Sequence, residues 1–334
     1  MRFVTFEHVT KGMVLGRPVY SDNGSILIKD GCVISDSAFR HIESLGLQGL
    51  YIMEEGFDDV VIEDVVPEKL RTMAYDALAK GDYTLCVSLA KSMVSEIRST
   101  RNPSFDLLDL KSFKNYEYHH CVSVAIYSIG LGIKLGLNEE QLNNLAVAGI
   151  LHDIGKFDVK KRVLNSKQVY NDKQMDEMMK HPMYSYEEVK ENPSVSSVSR
   201  NSILFHHENI DGSGYYGIAG EKLGLMPRIL RVIDTYDALT ATRRHRAAFS
   251  PDFAFRSLIK DAGKIYDVDV VRTFVNSFPM YPIGFTYSLS NGEEGVVIAQ
   301  TEDVERPKMR LLTGGTINLA KDSDYKTVEI KEMV

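Results

Sequence analysis

A histidine and an aspartate stand side by side at His152-Asp153, within ILHDIGK (Ile150 to Lys156) and directly after the apolar run LAVAG (Leu145 to Gly149). An ionised carboxylate in apolar surroundings is costly unless something offsets its charge. Either the pair has left the core at a helix end, or a cation is bound beside it. Other residues able to hold a hard or borderline cation lie along the same part of the chain: His119, His120, His181, His206-His207-Glu208, Asp211, Asp234 and Asp237. Of the nine histidines, only His8, His41 and His245 fall outside this set. Taken singly, such a histidine is a hydrogen-bonded packing residue and such an aspartate a helix cap. Taken together they are harder to dismiss, because several sit in apolar helical text (SILFHHE, VIDTYDAL) where unpaired charge is expensive. Imidazole combined with carboxylate suits iron, manganese or zinc, and the lack of cysteine in the set argues against a structural zinc site. There are more candidates than one tetrahedral ion needs. The pattern points to a pair of ions ~3.5–4 Å apart with a carboxylate between them, the arrangement of metal-assisted hydrolysis.

The segment that must position these residues, 104–277, reads helical throughout: VSVAIYSIGLGIKLG, EEQLNNLAVAGILHDIG, RILRVIDTYDALTA and PDFAFRSLIKDAG, the last with Pro251 at its start. Residues 67–103 also read helical and are interrupted near Gly81-Asp82. Their apolar positions (Leu70, Met73, Ala77; Leu85, Leu89, Met93, Ile97) suggest a helical connector. Residues 1–66 read as a small regulatory α+β module. Strands are expected at SILI (Ser25 to Ile28) after the Asp22-Asn23-Gly24 turn, at CVIS (Cys32 to Ser35) after Asp30-Gly31, and at LYIM (Leu50 to Met53) after Gln48-Gly49. A helix is expected over Asp36 to Gly46, with Asp36 as N-cap and Gly46 as its stop. Past Pro279, FTYSLS and GVVIAQ flank an Asn291-Gly292 turn as a hairpin, followed by KMRLLT and YKTVEI, which makes 278–334 a β module. The expected fold class is therefore mainly α, a helical bundle flanked by an α+β and a β module.

Whole-chain properties narrow the function. The 334 residues carry 44% hydrophobic and 25% charged residues, an ordinary globular composition. A net charge of −7 argues against binding a nucleic-acid polymer through overall charge. The three cysteines, Cys32, Cys86 and Cys121, match no paired framework and read as a reducing, cytoplasmic setting. No run approaches the ~18 apolar residues of a membrane span, and the N-terminus lacks the long apolar core of a signal peptide.

The order of the motifs then becomes informative: His120 in YHHCVSVA, His152-Asp153-Ile154-Gly155-Lys156, His181-Pro182, the run His206 to Tyr215 (HHENIDGSGY), and Asp234 in RVIDTYDALT. Over about Ser104 to Ser277 this series resembles the HD-GYP family, a branch of the HD-domain metal phosphohydrolases. The resemblance implies a helical domain whose metal centre hydrolyses cyclic di-GMP to linear pGpG, GMP or both by a two-metal-activated water. It implies that His120, His152, Asp153 and Asp234 hold one divalent ion and His181, His206 and His207 the other, with Asp153 bridging and iron or manganese bound. Lys156, read as one helical turn past His152, would reach a phosphate oxygen. Arg243 and Arg246 would grip the second phosphate or a guanine edge, on a helix continuing from near Arg228, with Asp237, Gly214 and Tyr215 beside the substrate. Members with three metals carry a glutamate four residues before the first histidine; Tyr116 stands there, which implies two metals. His119 and Cys121 read as packing residues. The chain departs from the family pattern at Tyr216, where the signature has proline, at Arg244-His245, and at Ser185, where glycine is usual. Two other readings stand beside the cyclic di-GMP phosphodiesterase: a cyclic di-GMP sensor with little turnover, and a phosphodiesterase for another dinucleotide, such as cyclic GMP-AMP or a linear one. Homodimerisation and protein partners through the terminal modules complete the expectations.

Overall fold

In this computed structural model, residues 1–20, 26–45, 47, 49–62, 64–100, 105, 116–159, 171–241 and 248–334 are described. The helices start and stop where local chemistry satisfies their end groups. Gly81 adopts a left-handed conformation (φ 68°) and ends α2 (Glu68–Lys80). The Asp82 carboxylate then accepts from the Leu85 amide and opens α3 (Tyr83–Ser99). After α4 (Tyr116–Lys134), a reciprocal capping box between Asn138 and Gln141 opens α5 (Glu139–Leu151). A second box, Asn171 with Gln174, opens α6 (Asp172–Met178). Pro182 sits in the first turn of α7 (His181–Val189), and Ser196 caps α8 (Ser197–Phe205). The series ends with α9 (Leu225–Thr240), α10 (Pro251–Lys260) and α11 (Val268–Ser277).

α4 and α5 form the centre of the bundle, with α3 and α8 against α5 and α9 against α4. Gly149 makes the α4–α5 crossing close, since a Cβ there would lie 2.8 Å from the Ala125 Cα. Val124, Leu145, Ile233, Phe255 and Phe274 are fully buried in one apolar core, each worth about 1.5–3 kcal/mol relative to exposure. α2 and α3 belong to the same core through Ala74, Leu78, Met93 and Ile97, so the segment read as a connector is packed into the bundle.

The N-terminal module consists of a three-stranded antiparallel sheet, ordered β1 (Arg2–Thr5), β5 (Gly49–Met53), β2 (Val14–Leu15), a pair β3 (Val19–Tyr20) with β4 (Ile26–Ile28), and helix α1 (Asp36–Leu45). The strand expected at CVIS is only a bridge between Val33 and Val14. Asp36 is not the N-cap of α1: Ser35 Oγ accepts from the Ala38 amide, and Asp36 lies in the first turn, paired with Lys11. The Asp22-Asn23-Gly24 turn and Gly46 lie outside the described residues.

The C-terminal module is a five-stranded antiparallel sheet in the order β10 (Ile330–Met333), β6 (Thr286–Leu289), β7 (Glu294–Ala299), β8 (Lys308–Leu311), β9 (Thr316–Asn318). β6 and β7 form the expected hairpin, with Gly292 at φ 87° in its turn. The strand expected at YKTVEI begins only at Ile330, because Ser323 to Tyr325 wind into a 3-10 turn. The two sheets meet. Phe3 stacks on Phe285 with centroids 4.4 Å apart, the Phe3 amide donates to Gly284 O (2.7 Å), and Arg2 donates to Thr286 Oγ1 (3.2 Å). The fold is thus mainly α with strand-containing modules at both ends. Among the described residues, no helix is long and apolar enough to cross a membrane.

Candidate metal centre

His152 and Asp153 lie at a helix end and are nevertheless fully buried. α5 stops at Leu151, and the backbone leaves the helical path at Asp153 (φ −107°, ψ 4°), which turns its carboxylate into the bundle. Four elements meet it there. α4 supplies His120, α7 begins with His181, α8 ends just before His206-His207, and α9 carries Asp234. Two donor sets result, His120, His152, Asp153, Asp234 and Asp153, His181, His206, His207; within each, the ligand atoms lie within 4.8 Å of one another. Asp153 belongs to both. Its Oδ2 is 3.2 Å from His120 Nε2 and 3.3 Å from His152 Nε2, while its Oδ1 is 3.1 Å from His181 Nε2 and 3.7 Å from His206 Nε2.

The tautomers follow from the backbone. His152, His181 and His206 each donate Nδ1–H to the carbonyl three residues earlier, Gly149 O, Met178 O and Ile203 O, at 2.7, 2.7 and 2.6 Å. A carbonyl only accepts, so the Nδ1 proton is fixed and each neutral ring turns its Nε2 lone pair inward. The lone pairs of His181 and His206 face each other at 3.4 Å, and the Nε2 of His152 faces a carboxylate oxygen. Among the described residues, His120 Nε2, His152 Nε2 and Asp153 Oδ1 are buried without a hydrogen-bond partner. Histidine lone pairs and the Asp153 Oδ1 converging without a donor are what a cation satisfies, so the residues fit divalent metal.

The electrostatics favour neutral rings at His206 and His207, whereas at His120 burial is outweighed by Tyr116 and the Asp153, Asp234 and Asp237 carboxylates, which hold that ring well above the ordinary histidine range. Burial lowers His206 to about 4, and burial followed by the charge of His206 drives His207 well below the ordinary histidine range, so both rings are neutral and available as ligands. Burial alone would raise Asp153, but His152 and Lys156 outweigh it and hold the carboxyl well below its usual range. Asp234 is likewise held well below the usual carboxylate range, burial being outweighed chiefly by the neighbouring His120 ring, whose Nε2 is 3.0 Å from Oδ1.

Several residues differ from their sequence reading. Lys156 lies in a 3-10 turn (Ile154–Phe157), not one α-helical turn beyond His152, and its ammonium donates to Asp153 Oδ2, with Glu117 Oε2 at 4.0 Å. Asp237, expected beside the substrate, is buried and accepts from His120 Nδ1 at 2.7 Å, so it orients that ring. Glu208 and Asp211 were among the cation candidates. Glu208 instead accepts from the amides of Tyr216 (2.7 Å) and Ile218 (2.6 Å), and Asp211 is exposed and accepts from Ser213. Ser185 repairs its own departure by accepting from the Gly155 amide at 2.8 Å. Tyr116 lies beside His120, its hydroxyl 3.3 Å from Nδ1, and His119 packs on Tyr75. Tyr215 stacks on His207 with centroids 4.6 Å apart, and Gly214 lets that loop lie directly on the backbone, since a Cβ would be 2.7 Å from His207 O. α9 ends at Thr240, with Ala241 extended (φ −102°, ψ 142°). Arg243, Arg244, His245 and Arg246 lie outside the described residues.

Residues 104–270 match the HD domain family. Over 216 residues the chain is 33% identical to a cyclic di-GMP phosphodiesterase of Pseudomonas aeruginosa, covering 63% of this chain and 52% of that protein. It is 27% identical over 201 residues to a cyclic di-GMP phosphodiesterase of Borreliella burgdorferi (59% and 51% covered). A 3'3'-cGAMP-specific phosphodiesterase of Vibrio cholerae is 27% identical over 181 residues (54% and 39% covered). The chain spans about half the length, or less, of these curated relatives. With the match reaching from before His120 to beyond Asp234, and with every ligand type facing one buried point, the chain belongs to the HD-domain family of phosphohydrolases, which bind divalent metal ions.

Proposed function

We propose that the chain hydrolyses a cyclic dinucleotide, cyclic di-GMP first among them, to the linear dinucleotide or to GMP. The observation that carries the reading is the Asp153 carboxylate shared between two buried donor sets inside the HD-domain match. In this reading His120, His152, Asp153 and Asp234 hold one ion and Asp153, His181, His206 and His207 a second, with iron or manganese favoured by mixed imidazole and carboxylate donors. Two ions, once bound, supply activation of water and neutralisation of phosphate charge.

The chain's own residues do the rest. Asp153 and Asp234 stay ionised in the buried site, and Asp237 fixes the His120 ring. The Lys156 ammonium, next to Asp153, is near enough to the centre to meet a phosphate oxygen. Arg243 and Arg246 remain the proposed grip on the phosphate that is not cut. A count of two ions is supported by Tyr116, which brings a hydroxyl where a third ion would need a carboxylate. A cytoplasmic setting suits the three cysteines, all free.

The relative that acts on 3'3'-cGAMP favours cyclic GMP-AMP as a second substrate reading. The deciding experiment is metal analysis and product analysis of anaerobically purified protein against both cyclic dinucleotides. About two ions per chain with pGpG or GMP as product is expected. Tight nucleotide binding with full metal and no product would make the protein a sensor instead. Arg243→Ala is expected to raise KM for cyclic di-GMP about tenfold, the scale of one charge-assisted contact, with metal content unchanged. Hydrolysis of a bis-nitrophenyl ester, which lacks a second phosphate, should change much less.

A further inference from the structure

His207 differs from the other histidines of the centre. His152, His181 and His206 are each oriented by a backbone carbonyl and His120 by Asp237. Among the described residues no hydrogen bond orients His207, whose Nδ1 stands 3.8 Å from Asp234 Oδ2. Its ring is instead packed against three others: His206 at 4.2 Å, Tyr215 at 4.6 Å with an interplanar angle of 28°, and His181 edge-on at 4.9 Å. A ligand's orientation needs a support, and of these three rings only Tyr215, on a loop, is not itself a ligand of the centre.

That loop is fixed at two places. Gly214 rests on the Glu208 Cα and His207 O, so closely that a Cβ would approach them to 2.5 and 2.7 Å. Directly after Tyr215, the amides of Tyr216 and Ile218 donate to the two oxygens of the buried Glu208 carboxylate. The first of these donors exists because position 216 is tyrosine: the proline of the HD-GYP signature has no N–H. Turns at Gly212 (φ 80°) and Gly217 (φ 73°) let the backbone fold back on Glu208.

We propose that Glu208 is a positioning residue of the metal centre. By holding the amides on either side of the Gly217 turn it keeps Tyr215 stacked on His207, and so sets the orientation of that histidine. The departure at Tyr216 is part of this device, acting through its backbone rather than its ring. The proposal deepens the reading of His207 as a metal ligand and rests on it.

Three variants test it. Tyr216→Pro removes a donor, Glu208→Gln leaves a single acceptor oxygen, and Tyr216→Ala removes the ring but keeps the donor. The first readout needs no metal: the ring-current shift that Tyr215 imposes on the His207 ring protons, followed by NMR alongside amide exchange at Ile218. Tyr216→Pro and Glu208→Gln are expected to lose the shift and to speed exchange about tenfold or more, while Tyr216→Ala keeps both near the parent values. The second readout is Mn²⁺ titration. The same two variants should weaken one of the two binding events about 10- to 100-fold, the range for losing support behind a ligand, and Tyr216→Ala should change neither by more than about twofold. The proposal is overturned if the shift survives in Tyr216→Pro, if Tyr216→Ala is as damaging as Tyr216→Pro, or if the loop opens without any change in Mn²⁺ affinity. A parent protein that takes up no Mn²⁺ would overturn the metal reading itself, and the ring-current result would still report whether the clamp orients the ring.

Discussion

Asp153 is the residue on which the two halves of the centre depend, because one carboxylate oxygen faces His120 and His152 and the other faces His181 and His206. Asp153→Ala is therefore expected to remove both ions and essentially all turnover, checked by elemental analysis beside a rate measurement. Retention of one full equivalent of metal would break the bridging assignment. A pH effect belongs to the same scale. Burial lowers His206 to about 4 from 6.5. In the unfolded chain it titrates near the ordinary value, so the unfolded state takes up protons first as pH falls. The contribution is intact above pH 6.5 and is lost progressively between 6.5 and about 4. Metal-free protein should give a lower denaturation midpoint at pH 5 than at pH 7, and His206→Asn should flatten that difference. The residues that converge on Asp153 were legible in the sequence, because each needs only a residue type in a particular order. The partners of Asp237, Glu208 and Lys156 were not. A carboxylate has the same composition whether it meets a ring, an amide or an ammonium, and only the packing of other elements decides which.

At the scale of elements, Gly155 ties the turn carrying Asp153 to the helix carrying His181. A Cβ at this position would collide with the backbone at His181 O and Ser185 N, neither of which can move without shifting α7. Gly155→Ala is expected to cost about 1–3 kcal/mol or more, in the range of core overpacking. Because α7 carries a ligand, metal content should fall with stability, and denaturant titration beside elemental analysis tests the pairing. A loss of stability with full metal retained would mean that the turn relaxes on its own. The helices were the most legible elements, since apolar residues recur at helical spacing over long stretches, as in α5 and α9. Strands of two to four residues, such as β2, β3 and β9, offer too little alternation to be read. The C-terminal YKTVEI looked like a strand from its alternation, but the 3-10 turn at Ser323 to Tyr325 delays pairing until Ile330.

At the scale of the whole molecule, the sequence suggested three modules and gave no sign that the outer two touch. The contact depends on Phe3 and Phe285, which read as ordinary apolar residues of separate strands. The largest apolar core nevertheless runs through Phe3, the helical bundle and Phe285. Phe3→Ala should therefore cost about 3–5 kcal/mol, the usual range for a buried phenylalanine. The loss should lower a single cooperative transition, measured by calorimetry, and a separate early transition of the N-terminal sheet would show that the modules are independent. Arg310 and Asp59 join the same two ends, bonded at 2.7 and 2.8 Å, and the Arg310 hydrogen bond lowers Asp59 to about 2. Any stability from this exposed pair is present above the ordinary aspartate range and disappears as pH falls toward 2, so Asp59→Asn should matter at neutral pH and not at pH 2.

The meeting of the two sheets also has a consequence for how the chain is made. Arg2 and Thr286 are partners separated by 284 positions. Closing so long a loop costs about 5 kcal/mol beyond a constant, by the logarithmic scaling of chain entropy, so this contact is expected among the last to form. On the ribosome, β1 can pair with β5 as soon as the first module emerges, yet the outer face of Phe3 stays wet until Phe285 has been synthesised and released from the exit tunnel. Until then that aromatic ring lacks its stacking partner and offers an apolar face to a chaperone or to a neighbouring chain on the same message.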